Sequence, residues 1–199
     1  MNDQKGIKVI LLGESGVGKT NLINITANKQ FNTYSESNIS NSFTESKVEY
    51  NNKEYSYLIW DTVGQEKYRA FNRLFIKGSK IIIIVFAINN ENSFKEVEFW
   101  LNYAKENVDE KNYILALVGN KNDLFEEVEV QEDKVQEIAD RYKIKYILTS
   151  AKIEPEVFKD FLNSLLIEYI EKIGPDEEKK LNFKLLPVKK EIKKKNNFC

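Results

Sequence analysis

The chain is 199 residues long, 42% hydrophobic and 31% charged, with a net charge of −1, which suits one globular domain with a continuous core. It contains no histidine, which excludes imidazole-based triads, histidine-held metals and histidine general bases. Its one cysteine, Cys199, is the final residue, so a disulfide framework and a cysteine zinc cluster are excluded and a reducing, cytosolic compartment is expected.

The first residues lead into only a short apolar stretch and residue two is asparagine, so neither a signal peptide nor N-myristoylation is expected. Residues 7–12 read as a strand. Directly after them comes Gly13-Glu14-Ser15-Gly16-Val17-Gly18-Lys19-Thr20, a complete GxxxxGK[ST] loop that opens a helical pattern. Such a loop curls so that its N–H groups face phosphate oxygens, and the helix that follows adds its positive end. Ser15, Gly16, Val17 and Gly18 would line the phosphates, Lys19 would bridge the β and γ groups, and Thr20 would offer its hydroxyl to Mg²⁺. The N–H of Asn21 falls where the α phosphate would sit.

Residues 33–42 are polar and rich in serine and asparagine, the composition of a mobile loop. Residues 44–50 and 55–60 read as strands, and Asn51-Asn52-Lys53 between them predicts an antiparallel hairpin. Asp61 closes the second strand, where an acid can hold Mg²⁺ through water. Residues 81–88 form the longest apolar run, far below the roughly 20 residues of a bilayer crossing, and read as a strand buried on both faces. Two more strands are predicted over 114–119 and 146–149.

After the first of these stands Asn120-Lys121-Asn122-Asp123, the NKxD pattern of guanine-binding P-loop proteins. Guanine offers two adjacent donors, N1–H and the exocyclic amine, which one carboxylate can accept; adenine has no such pair. Lys121 would lie along the purine plane and Asn120 would tie the loops together. Helical spacing is clearest over 156–173, where Val157, Phe158, Phe161, Leu162, Leu165, Leu166, Tyr169 and Ile173 form one apolar stripe. Gly174-Pro175 is expected to end that helix. Beyond it, residues 179–199 hold eight lysines against a single acid, Glu191. This tail is predicted not to fold and to meet an anionic surface, leaving the body acidic.

In order and spacing these motifs resemble the small GTPases of the Ras superfamily, and the Rab family in particular, over about residues 6–173. Branch-specific support comes from residues 59–71, which fit IWDTxGQExYRxF, from Phe75-Ile76-Lys77-Gly78-Ser79, a diverged YYRGA element, and from Ser15. The resemblance implies an α/β P-loop NTPase fold of the small-GTPase type, with a six-stranded, mostly parallel sheet flanked by helices. It implies a GTP-binding domain over 1–175 and a disordered basic tail over 176–199.

It also implies a GTP/GDP switch with Mg²⁺ that regulates vesicle traffic, hydrolysing GTP slowly without an activating protein. Residue by residue, Ser150-Ala151-Lys152 matches the SAK element, in which the Ala151 N–H meets the guanine carbonyl. Phe31, twelve positions after Lys19, matches the aromatic that covers the base. The Gly64 N–H would sense the γ phosphate, and Gln65 matches the glutamine that orients the attacking water. Asn38 stands at the position of the Mg²⁺-binding threonine, and Val63 at that of an alanine; these two departures motivate an alternative, a pseudo-GTPase that holds nucleotide with little turnover. Phe43, Trp60 and Phe75 match the aromatic effector surface. Cys199 with its neighbouring lysines resembles a prenylated tail that docks the protein on the cytosolic face of an intracellular membrane. The expected partners are effectors, a GTPase-activating protein, an exchange factor, a prenyl-tail chaperone and a membrane surface; no nucleic acid is among them, and a monomer is expected.

Overall fold

The structure, a computed structural model, describes residues 6–27, 43–61, 76–109 and 111–183, with residues 173–183 described as backbone only. Six strands form one sheet: β1 (Ile7–Leu12), β2 (Phe43–Tyr50), β3 (Lys53–Trp60), β4 (Ile81–Ala87), β5 (Ile114–Asn120) and β6 (Lys145–Leu148), in the order β2-β3-β1-β4-β5-β6. Five strands run parallel and β2 alone is antiparallel, paired with β3. Each lies within two residues of its expected position. The β2–β3 turn consists of Asn51 and Asn52, at φ 51° and 58°, the left-handed pair that a two-residue type I′ hairpin requires and asparagine tolerates.

Alternation along the strands divides the core in two. Val9 and Leu11 of β1, Ile81, Ile83 and Val85 of β4, and Ala116 and Val118 of β5 face one side. They pack there against α1 (Lys19–Thr26) and the long C-terminal helix. Their neighbours Ile10, Leu12, Ile82, Ile84, Phe86, Leu115 and Leu117 face α2 (Glu91–Lys95), α3 (Val97–Asn107) and α4 (Glu132–Tyr142) on the other. Both faces of β1, β4 and β5 are therefore apolar, as expected of parallel strands covered by helices on each side.

The C-terminal helix, α5 (Pro155–Phe183), corrects the sequence reading at both ends. It does not stop at Gly174-Pro175 but continues through both residues to Phe183. The residues that follow, Asp176-Glu177-Glu178-Lys179-Lys180-Leu181, are good helix formers, and proline removes a single helical donor. Residues 176–183, expected to belong to an unfolded tail, thus belong to this helix. At the other end Val157, assigned to the apolar stripe, is 41% exposed, whereas Phe158, Phe161, Leu162, Leu165, Leu166 and Tyr169 are buried. Val157 lies in the first turn, before the helix reaches the sheet. Among the described residues no helix is long and apolar enough to cross a membrane.

Candidate functional site

Every motif loop leaves the carboxyl end of a strand: the phosphate loop after β1, Asp61 after β3, Lys121 to Asp123 after β5 and Ser150 to Lys152 after β6. The sheet places these ends side by side, since β1 pairs with both β3 and β4 and β5 bridges β4 and β6. Ligands in open α/β sheets bind at this edge.

Two glycines of the phosphate loop are demanded by the geometry. Gly13 has φ 145°, and a Cβ there would lie 2.0 Å from the carbonyl oxygen of Val85 in β4. Gly18 has φ 99°, and its Cβ would fall 2.2 Å from Asn120 Nδ2. Helix α1 then starts with no side-chain cap and no acid in its first turn, so its terminal N–H groups face an anion site without competition from a neighbouring carboxylate. Lys19 is 4% exposed, and its ammonium donates to the carbonyl oxygens of Gly13 at 2.9 Å and Glu14 at 2.8 Å. The loop thus wraps back over its own lysine and fixes the position of that charge.

Asn120 joins three loops. It is 2% exposed; its Nδ2 donates to the Val17 carbonyl at 2.8 Å and its Oδ1 accepts the Ala151 N–H at 3.1 Å. The sequence expectation that Asn120 ties the loops together describes these contacts. They also show that the Ala151 N–H, expected to meet a guanine carbonyl, already donates to Asn120, so a base oxygen would share that hydrogen. Lys121 sits in the left-handed region at φ 68°, which turns the chain sharply, and the Leu124 N–H closes the turn onto the Lys121 carbonyl at 2.9 Å.

Asp123 is held from the side of β6. Its Oδ1 accepts the Ser150 hydroxyl at 2.6 Å, and its Oδ2 lies 3.8 Å from Lys152 Nζ. Ser150 is fully buried and accepts the N–H groups of Lys152 at 3.1 Å and Ile153 at 3.2 Å. Its hydroxyl is therefore locked as a donor to Asp123, a role that the tripeptide match alone did not assign. A serine placed before a helix start, where its oxygen can accept the next N–H groups, is the signal that could have found it.

Around these groups lies a cavity of about 230 Å³ lined by Asn21, Asn120, Lys121, Asp123, Ser150 and Ala151 among others. The side-chain oxygen of Asn21 is buried and has no hydrogen-bond partner among the described residues. The cavity thus brings residues of the phosphate loop, the NKxD motif and the Ser150-Ala151-Lys152 segment together. A larger cavity, about 600 Å³, lies at the opposite end of the sheet, between α4, α5 and the starts of β5 and β6. It contains none of the motif residues. Its Glu168 is paired with Lys145 at 2.8 Å and Lys172 at 2.7 Å.

Across the β2–β3 pair, Phe43 is 41% exposed and its ring centroid lies 5.2 Å from that of half-buried Trp60. Lys8 Nζ lies 5.1 Å from the Trp60 ring, and burial lowers the Lys8 pKa against the raising influence of Asp109. Thr20 is the second residue of α1 and Asp61 follows β3, both partly exposed. Phe31, Asn38, Val63, Gly64, Gln65, Phe75 and Cys199 lie outside the described residues.

A mostly parallel sheet with a GxxxxGK[ST] loop after its first strand and a cavity lined by Asn120, Lys121 and Asp123 of the NKxD motif is the arrangement expected of a P-loop nucleotide-binding protein. A family model described as the Ras family matches residues 8–171. Over 158 residues the chain is 35% identical to the Ras-related protein Rab-11A of Dictyostelium discoideum, covering 79% of this chain and 73% of that protein. Similar matches are the GTP-binding protein ypt3 of Schizosaccharomyces pombe, 38% identical with 72% of this chain and 67% of that protein covered, and the Ras-related protein rab-11.1 of Caenorhabditis elegans, 35% identical with 79% and 74% covered. The chain belongs to the Ras family, in its Rab branch: a guanine-nucleotide-binding GTPase that regulates vesicle traffic.

Proposed function

We infer that this protein is a Rab-type switch whose phosphate loop, from Ser15 to Asn21, holds the triphosphate of GTP while Asp123 selects the guanine. The observation that carries this reading is the fixed carboxylate: Ser150 anchors Asp123 from one side, and Asn120 fastens its loop to the phosphate loop through Val17. Lys121 would cover one purine face and Phe31, by its place in the sequence, would meet the base. Lys152 neutralises part of the charge that the anchored carboxylate concentrates, and Ala151 contributes its shared N–H.

Lys19 places a positive charge where the β and γ phosphates meet, and Thr20, Asp61 and Asn38 are the groups that would hold Mg²⁺. When bound, that ion offsets phosphate charge. Gln65 orients the attacking water, and the Gly64 N–H registers the terminal phosphate. Arg69 and Arg73 lie in the sequence beyond the Gly64-Gln65-Glu66 segment, so in this reading unaided hydrolysis is slow and a partner supplies the missing cation, worth roughly 10³ to 10⁵ in rate. Effectors read the nucleotide state on Phe43, Trp60 and Phe75. The basic tail and a lipid on Cys199 bring the protein, as a monomer escorted by a prenyl-tail chaperone, to the cytosolic face of an intracellular membrane.

Single-turnover phosphate release tests this division of labour. Gln65→Leu should abolish the stimulation that an activating protein gives, while GTP binding persists; an unchanged stimulated rate removes Gln65 from the mechanism.

A further inference from the structure

Glu14 stands inside the phosphate loop, yet its side chain faces away from the loop's own partners. Its Oε1 accepts the indole N–H of Trp100 at 3.2 Å, across 86 residues of sequence. Trp100 is 1% exposed, in the first turn of α3, with Phe99 and Tyr103 around its ring. The indole N–H is thus a donor fixed by the core. The carbonyl of the same Glu14 accepts the Lys19 ammonium at 2.8 Å. One residue is therefore held at two points: the carboxylate by α3, the peptide by the lysine that meets the phosphates.

We propose that Trp100 is a positioning residue for nucleotide binding, acting through Glu14. By engaging the carboxylate, the indole fixes the Glu14 peptide, and that peptide orients the Lys19 ammonium. It also keeps a negative charge from turning toward the same ammonium, for which it would compete with phosphate. Removal of the indole donor leaves a carboxylate one residue from an anion site without its partner, and both losses weaken retention of the nucleotide. The proposal rests on the reading of this loop as the phosphate site.

The test is the release rate of a fluorescent guanosine diphosphate from the full chain, in Mg²⁺, for wild type, Trp100→Phe, Glu14→Leu, Glu14→Gln and the pair Glu14→Leu/Trp100→Phe. Loss of a hydrogen bond to a charged group predicts release about tenfold faster in Glu14→Leu and in Trp100→Phe. The pair should be no faster than either single variant, because both remove one contact. Glu14→Gln keeps the acceptor oxygen and should recover part of the loss.

Effects that multiply in the pair, or equal release from Glu14→Leu and Glu14→Gln, overturn the proposal. The second comparison stands even where Trp100→Phe does not fold. Wild-type protein that holds no labelled guanosine nucleotide overturns the phosphate-site reading, and this proposal with it; tight wild-type binding with unchanged variants overturns the positioning role alone.

Discussion

Asp123, the proposed base-selecting residue, shows how a residue identity and its surroundings act together. The NKxD motif identified the carboxylate; the structure adds that the Ser150 hydroxyl, itself locked by two N–H groups, holds one of its oxygens. Asp123→Asn replaces an acceptor pair with one acceptor and one donor. That set matches xanthine, whose ring presents N–H beside a carbonyl. Competition binding should show guanine affinity falling by at least about a hundredfold and xanthine binding gained; retained guanine selectivity would move the base elsewhere. At this scale Gly13, Gly18, Lys19 and Asn120 were legible, because motifs name residues whose geometry is fixed by the backbone. The Glu14–Trp100 contact was not legible, since no local pattern links a loop to a helix 86 positions away. Nor was the buried, unpartnered oxygen of Asn21, whose neighbours come from other loops.

Among the elements, the hairpin and the last helix bear opposite relations to the sequence. Asn51-Asn52 announced a tight turn through residues that tolerate positive φ, and both adopt it. Asn52→Ala should destabilise the fold by about 1 kcal/mol, the cost of a left-handed alanine, read as a lower urea midpoint; an unchanged midpoint would contradict the strain argument.

The α5 helix passes through Gly174-Pro175 because the helix-forming run behind that pair outweighs its punctuation. Near the middle of α5, partial burial pushes the Glu168 carboxyl up, but its bonds to Lys145 and Lys172 outweigh this and hold it below its ordinary 4.5. A carboxyl depressed in the folded state stabilises above its unfolded pKa, and that contribution is lost as pH falls through the folded value. Melting followed from about pH 6 to about pH 3 should therefore show a shallower acid decline in Glu168→Gln than in wild type. Parallel curves would show that the two lysines contribute nothing through this group.

For the molecule as a whole, alternating apolar strands and helical stripes sufficed to anticipate an α/β sheet, and the motif loops all lie at the carboxyl edge of that sheet. The sheet topology supplies what one-dimensional spacing could not: it brings loops from residues 13–20, 120–123 and 150–152 to a single cavity and fastens them through Asn120. In the proposed reading, base selection and phosphate binding are thereby joined through one buried asparagine. The most direct test is a titration of full-length protein, in Mg²⁺, with guanosine and adenosine di- and triphosphates. Guanosine nucleotides should bind by orders of magnitude more tightly than adenosine nucleotides. Equal affinity for the two bases would contradict the account.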